Sequence, residues 1–215
     1  MSFLQQLKSQ AKQLQTQRTE QDSVFEERAS QTEHACQMIL DYLQDLARQL
    51  NVIEPPAPAF SLDGKTPWPP MKLVDFRVDA RRKRHRDQEV IDYIGMGWRV
   101  VPHSGEAVGG VVSVNFPTEM QKVESRLAMG PVKHERREIR HPEKSVLTEV
   151  RYEYLTETRG SVVATADHEH GLIQFRLLNT QGFETVTAPW PVQRIVQDTL
   201  DELAKRIVGQ PNLFV

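Results

Sequence analysis

The first 54 residues contain neither glycine nor proline. These are the residues that most readily interrupt a helix, so nothing in this stretch obliges the chain to turn. Cysteine is almost missing too, and Cys36 stands alone. A single thiol excludes an internal disulfide and a Cys-x-x-Cys zinc clip, and it matches a reducing compartment. No run approaches the ~18 consecutive apolar residues of a membrane span. The opening Met1-Ser2-Phe3-Leu4-Gln5-Gln6-Leu7-Lys8 has no apolar core of the secretory-signal kind. A soluble cytoplasmic protein without a membrane partner is therefore expected. A surplus of one charge is also lacking, since 27 Lys and Arg face 29 Asp and Glu. A dedicated nucleic-acid binder usually carries a basic excess, because neutralising phosphates supplies most of its affinity. Only a local patch could serve that role here.

The motifs of common chemistries are missing as well. No Gly-x-Ser-x-Gly and no His-Glu-x-x-His occurs. Gly105 and Gly110 have the spacing of a phosphate loop, but Val111 and Val112 stand where Lys and Ser or Thr would hold phosphate and magnesium. Cys36 and His34 are two apart on a helix and point away from each other, so no dyad forms. No catalytic residue and no cofactor are expected.

What is present begins with helical periodicity. Phe3, Leu4, Leu7, Ala11 and Leu14 recur at three- and four-residue steps, as do Phe25, Ala29, Ala35, Met38, Ile39, Tyr42, Leu43, Leu46 and Leu50. Residues 1–54 thus form a helical arm. Residues 15–23 carry no apolar side chain, so the arm is one helix or two, 2–20 and 23–51. In the second case Asp22 or Ser23 would be the N-cap, with Glu26 completing a capping box after Ser23. A heptad runs through Leu4, Ala11, Arg18, Phe25, Thr32, Ile39 and Leu46, and another through Leu7, Leu14, Gln21, Arg28, Ala35 and Tyr42. Arg18, Gln21 and Arg28 interrupt the seam that a continuous coiled coil would need. The outer stripe of Phe3, Leu4, Leu7 and Leu14 is suited to a partner's groove or to a second copy. Its polar face is rich in Gln rather than Lys, which disfavours a membrane-surface helix. Alternatively, residues 24–50 pack on the body and the first twenty form a polar extension.

Residues 55–70 hold Pro55, Pro56, Pro58, Pro67, Pro69 and Pro70, which bar both helix and central strand. This is a linker, either a ligand for an aromatic groove or a surface crossing pinned by Phe60 and Trp68.

Residues 71–215 read mainly as strands. Val74, Phe76, Val78 and Ala80 alternate with Asp75, Arg77 and Asp79, the pattern of a half-buried strand. Further strands are expected over 90–101 (with a bulge or bend at Gly95 and Gly97), 111–116, 146–158, 161–166, 172–178 and 183–188. Residues 133–140 suit a charged edge strand, and 117–129 a short helix. A C-terminal helix over 191–208 would start at Pro191, bury Val192, Ile195, Val196, Leu200, Leu203 and Ile207, and end at Gly209 and Pro211. Short turns between strands imply antiparallel pairing. The expected fold is α+β: an N-terminal helical arm, a curved antiparallel β-meander, and a C-terminal helix packed on one sheet face.

Two clusters suggest sites. Arg81, Arg82, Lys83, Arg84, His85 and Arg86 follow a strand and suit a loop tip or ribbon end that grips phosphate. Arg99, Lys133, Arg136, Arg137 and Arg140 would extend it if the strands adjoin. The alternative is a solvated turn paired with acids. Asp167-His168-Glu169-His170 offers two imidazoles on one face of an extended segment, but two ligands do not define a metal site. Tyr152, Tyr154, Trp98 and Trp190 could line a ligand cleft or simply fill the core.

The leading expectation is a non-enzymatic interaction protein whose arm docks on a partner or on a second copy. The alternatives are a nucleic-acid accessory protein using Arg81, Arg82, Lys83, Arg84 and Arg86, and a small-ligand or enzymatic pocket between the sheet and the C-terminal helix.

Overall fold

The computed structural model describes residues 3–85, 88–143 and 146–215, apart from the side chains of Arg18, Glu20 and Gln21. The arm is one helix, α1, Phe3–Ile53, and not two. Residues 15–23 lack apolar side chains but contain good helix formers. Thr16 and Thr19 turn their hydroxyls back to the carbonyls of Lys12 and Gln15, at 3.0 and 2.9 Å. Asp22 and Ser23 therefore sit inside the helix rather than at a cap. At 1.5 Å per residue α1 is roughly 76 Å long. It stops where Glu54 takes a left-handed φ of 44° and Pro55 follows.

Only the C-terminal half of α1 is buried, through Thr32, Ala35, Cys36, Ile39, Leu43, Ala47 and Leu50. These residues fall at three- and four-residue steps and face the five-stranded antiparallel sheet. That sheet has the order β1-β2-β6-β7-β8, with β1 Met71–His85, β2 Gln88–Pro102, β6 Thr158–Asp167, β7 Leu172–Leu178 and β8 Thr185–Pro191. Strict alternation puts Ile94, Met96, Trp98, Val162, Ala164, Phe175 and Leu177 in the core. Among the described residues, no helix covers the opposite face.

The remaining strands form a second antiparallel sheet, so the expected meander is divided. Its order is β3-β5-β4, with β3 Gly109–Val114, β4 His134–Arg140 and β5 Leu147–Leu155. Helix α2, Pro117–Met129, intervenes between β3 and β4 and buries Val123 and Leu127. It separates those strands in the chain, and β5 becomes the centre. β4 is exposed along its whole length, as its charges foretold.

The linker is strapped down rather than free. Phe60 stacks on Trp68 at 5.7 Å, Trp68 on Tyr154 at 5.8 Å, and Phe183 meets Phe60 edge-on at 5.0 Å. Arg126 of α2 donates to the carbonyls of Ser61 and Leu62.

The C-terminal helix, α3, spans Gln197–Ile207, shorter than the expected 191–208. Pro191 ends β8, paired with Leu172, and does not open a helix. A 3₁₀ turn at Val192–Arg194 follows, and Val196 is the extended N-cap of α3 with φ −131°. The turn buries Val192 and Ile195 three residues apart, which mimics helical spacing, while Val196 is left 48% exposed. Leu200, Leu203 and Ile207 are buried, and Phe214 stacks on Trp190 at 4.9 Å and meets Phe175 edge-on.

Candidate functional site

The outer half of α1 projects from the body. Phe3 is 74% exposed, Leu14 57%, and Leu4 and Leu7 are exposed as well. Phe3, Leu14, Phe25, Cys36 and Ala47 are eleven residues apart, three helical turns, so they share nearly one face. The stripe that docks α1 on the sheet thus continues in phase to the tip. Phe25 marks the transition, with its ring on His85 at 5.4 Å. Glu33 fixes the boundary further, accepting from the Ile91 amide at 2.8 Å and from Arg82 at 3.3 Å.

Of the two expected settings, loop tip or ribbon end, residues 81–85 take the second, on β1 paired with β2. Arg81 lies over the Tyr93 ring at 5.2 Å. Arg82 pairs with Glu33, Lys83 pairs with Asp92 at 2.7 Å, and Arg84 sits opposite Glu89. Arg86 lies outside the described residues. Acids on α1 and β2 therefore answer much of this charge within the chain. The proposed extension is not assembled either. Arg136, Arg137 and Arg140 belong to the other sheet and pair with Glu138 and Glu135, while Arg99 pairs with Asp75 and Glu157.

His168 and His170 do not share a face. His168 is buried, 2.9 Å from the Ile91 carbonyl through Nε2, and stacks near His85 at 6.0 Å. His170 is exposed and paired with Asp167 at 2.8 Å. Among the described residues no three His, Cys, Asp or Glu side chains gather as a metal site would need. Burial, with Glu33 nearby, pushes the Cys36 thiol up to about 12, so it stays protonated. The four aromatics do not share a cleft. Tyr152 donates to Glu124 at 2.7 Å, Tyr154 stacks on Trp68, Trp98 on Phe76, and Trp190 lies between Phe214 and Arg194.

Two surface features were not anticipated. The uncovered face of the larger sheet holds a trough of about 620 Å³, lined by Arg77, Asp79, Tyr93, Gly95, Gly97 and Arg159 among others. The other is a cleft of about 480 Å³ between α1 and α3, floored by Met38, Tyr42, Leu46 and Leu200, with Asp41 and Asp45 at its rim. Tyr42 donates to Asp201 of α3 at 2.7 Å. Burial and this carboxylate hold the Tyr42 hydroxyl well above the usual phenol range. The i, i+3, i+4, i+7 spacing of Met38, Asp41, Tyr42 and Asp45 signals a shared face, but nothing in the sequence ties it to Leu200. Among the described residues no helix is long and apolar enough to cross a membrane. No family model, no curated protein and no solved structure matches this chain.

Proposed function

We propose that this chain is a non-catalytic interaction or assembly protein that associates through the outer half of α1, with a protein partner or a second copy. The observation that carries the reading is the uncovered stripe of Phe3, Leu4, Leu7 and Leu14, in phase with the stripe already buried on the sheet. Residues 3–17 are exposed all round, whereas most helical stability in proteins comes from packing an amphipathic face. Full burial of one such side chain is worth roughly 1.5–3 kcal/mol. A partner along the stripe stabilises both the helix and its contacts.

The phosphate-binding alternative draws less support, because Arg82 and Lys83 already face Glu33 and Asp92.

The test compares the complete chain with a chain lacking residues 1–22, by mass in solution and by capture of partners. Loss of assembly on truncation supports the reading. Unchanged mass together with unchanged capture overturns it.

A further inference from the structure

The tip of the arm has a charge pattern that its glutamines conceal. Residues 1–19 include Lys8, Lys12 and Arg18 and not one Asp or Glu. The tip is therefore an apolar stripe flanked by glutamines, and its charged side chains are all cations. The cleft between α1 and α3 has the opposite character. Its floor is Met38, Tyr42, Leu46 and Leu200, and Asp41 and Asp45 edge it beside Asp201. Asp41 is met by the neutral Gln37 amide, Asp201 by Tyr42 and Gln197, and Asp45 by Arg48 in an exposed pair. Three carboxylates thus face Arg48 and, beside Asp201, Lys205 of α3, over an apolar floor.

Resting on the reading of the arm as an association element, we infer that its occupant is a second copy of this chain. The basic apolar tip of each α1 lies in the acidic α1–α3 cleft of the other copy, and the two α1 helices run antiparallel. This is recognition of a helix in a groove, with apolar anchors and charges of opposite sign at the rim.

The spacing along α1 makes the docking reciprocal. The tip and the cleft lie on one helix, separated by roughly 50 Å at 1.5 Å per residue. Two antiparallel copies related by an axis near Glu26 place each tip in the other's cleft at once, which closes the assembly as a dimer. One register sets Lys8 beside Asp45 and Lys12 beside Asp41 of the second copy. Some of the exposed or half-buried apolar residues of α1 recur at heptad spacing. Phe3, Val24 and Met38 are separated by multiples of seven, and so are Leu7, Leu14 and Tyr42. The other places on these lines are Gln10, Gln17 and Gln31, and Gln21, Arg28 and the docked Ala35, so the contact is apolar at its two ends and at Val24 and polar between them. Val24, 48% exposed on the free helix, falls next to the axis.

The experiment is a charge exchange in the complete chain, read as dissociation constants from sedimentation equilibrium. Reversal at the tip (Lys8→Glu with Lys12→Glu) and reversal at the cleft (Asp41→Lys with Asp45→Lys) each replace attraction by repulsion at both ends of the dimer. Each is expected to weaken a dimer of twice 24.7 kDa by at least about tenfold, more so at low salt. The chain carrying all four substitutions is expected to dimerise again. Far-UV spectra check that the variants, all on exposed positions, stay folded. A monomeric parent, or reversals without effect, overturns the inference. Reversals without effect, combined with loss of the dimer on removing residues 1–22, place the tip elsewhere and spare the arm reading. A dimer that survives the truncation overturns the inference, and the arm reading with it where capture of partners is also unchanged.

Discussion

Asn51 and Phe76 are joined by two hydrogen bonds. The Asn51 amide donates to the Phe76 carbonyl at 2.9 Å, and the Phe76 N–H donates to Asn51 Oδ1 at 2.8 Å. The pair sits where β1 is irregular. The ladder to β2 breaks between Val74 and Arg77, and Asp75 between them takes a φ of 58°. Phe76 has no partner there on β2, so a helix side chain replaces the missing strand. Asn51→Ala leaves a half-buried N–H and carbonyl without partners. Loss of about 2 kcal/mol is expected in urea unfolding, with Asn51→Asp intermediate because it keeps the acceptor alone.

The glycines of the larger sheet separate by what surrounds them. A Cβ at Gly160 would lie 2.3 Å from the Trp98 ring, whereas at Gly95 the nearest atom is 3.7 Å away on Tyr93 and at Gly97 it is 3.9 Å away. Gly160→Ala is therefore expected to destabilise by ~1–3 kcal/mol through overpacking. Gly95→Ala gains ~0.5–1 kcal/mol from a stiffer chain. Parallel denaturation curves check the opposite signs.

Asp63 predicts an acid-labile strap. Burial raises its carboxyl, but the amides of Thr66 and Lys65 and the hydroxyls of Ser61 and Thr66 outweigh it and hold it at about 2. The unfolded carboxyl titrates near ~3.9. Its stabilising contribution is thus complete above about pH 4 and fades as pH falls toward 2. Asp63→Asn is expected to be less stable than the parent at neutral pH, and the gap should close below about pH 3. Fluorescence of Trp68, packed on Phe60 beside this turn, reports it.

Cys36 has the mirror-image behaviour. Its thiol is held up to about 12 in the folded chain, against ~8.5 when unfolded. The neutral thiol therefore favours folding fully below about pH 8.5, and the contribution is lost as pH rises toward 12. Native protein at pH 8 is expected to resist thiol reagents until unfolded, and Cys36→Ala should lose less stability than the parent between pH 8 and 11. Rapid modification of the native chain would contradict this.

The sequence carried the local elements far better than their partners. Pro117–Met129 and Leu172–Leu178 were legible to the residue, because each is bounded by its own turn signals. Residues 81–85 suit a loop tip and a ribbon end alike because charge resembles solvent exposure, and their cross-strand partners, Ile91 and Val90 among them, make them ribbon. The start of α3 was misread because a buried 3₁₀ turn and a helix share the three-residue step of Val192 and Ile195. The division into two sheets depends on β2 pairing with β6 rather than with β3, a choice made by distant packing. The cleft beside α1 was illegible for the same reason, since Tyr42 meets Asp201 only across most of the chain.

A helix without a glycine or proline has no joint. About five turns of α1, from Thr32 to Leu50, are gripped by the sheet, and the rest follows as a rigid extension of them. From Phe25 to Phe3 the free span is about 33 Å at 1.5 Å per residue, so a tilt of about 5° in the docked half sweeps the tip by roughly 3 Å. The leverage runs both ways. A load on Leu7 or Leu14 is delivered to Ile39 and Leu43, which are fully buried against the sheet. Whatever holds the tip therefore also pulls on the core.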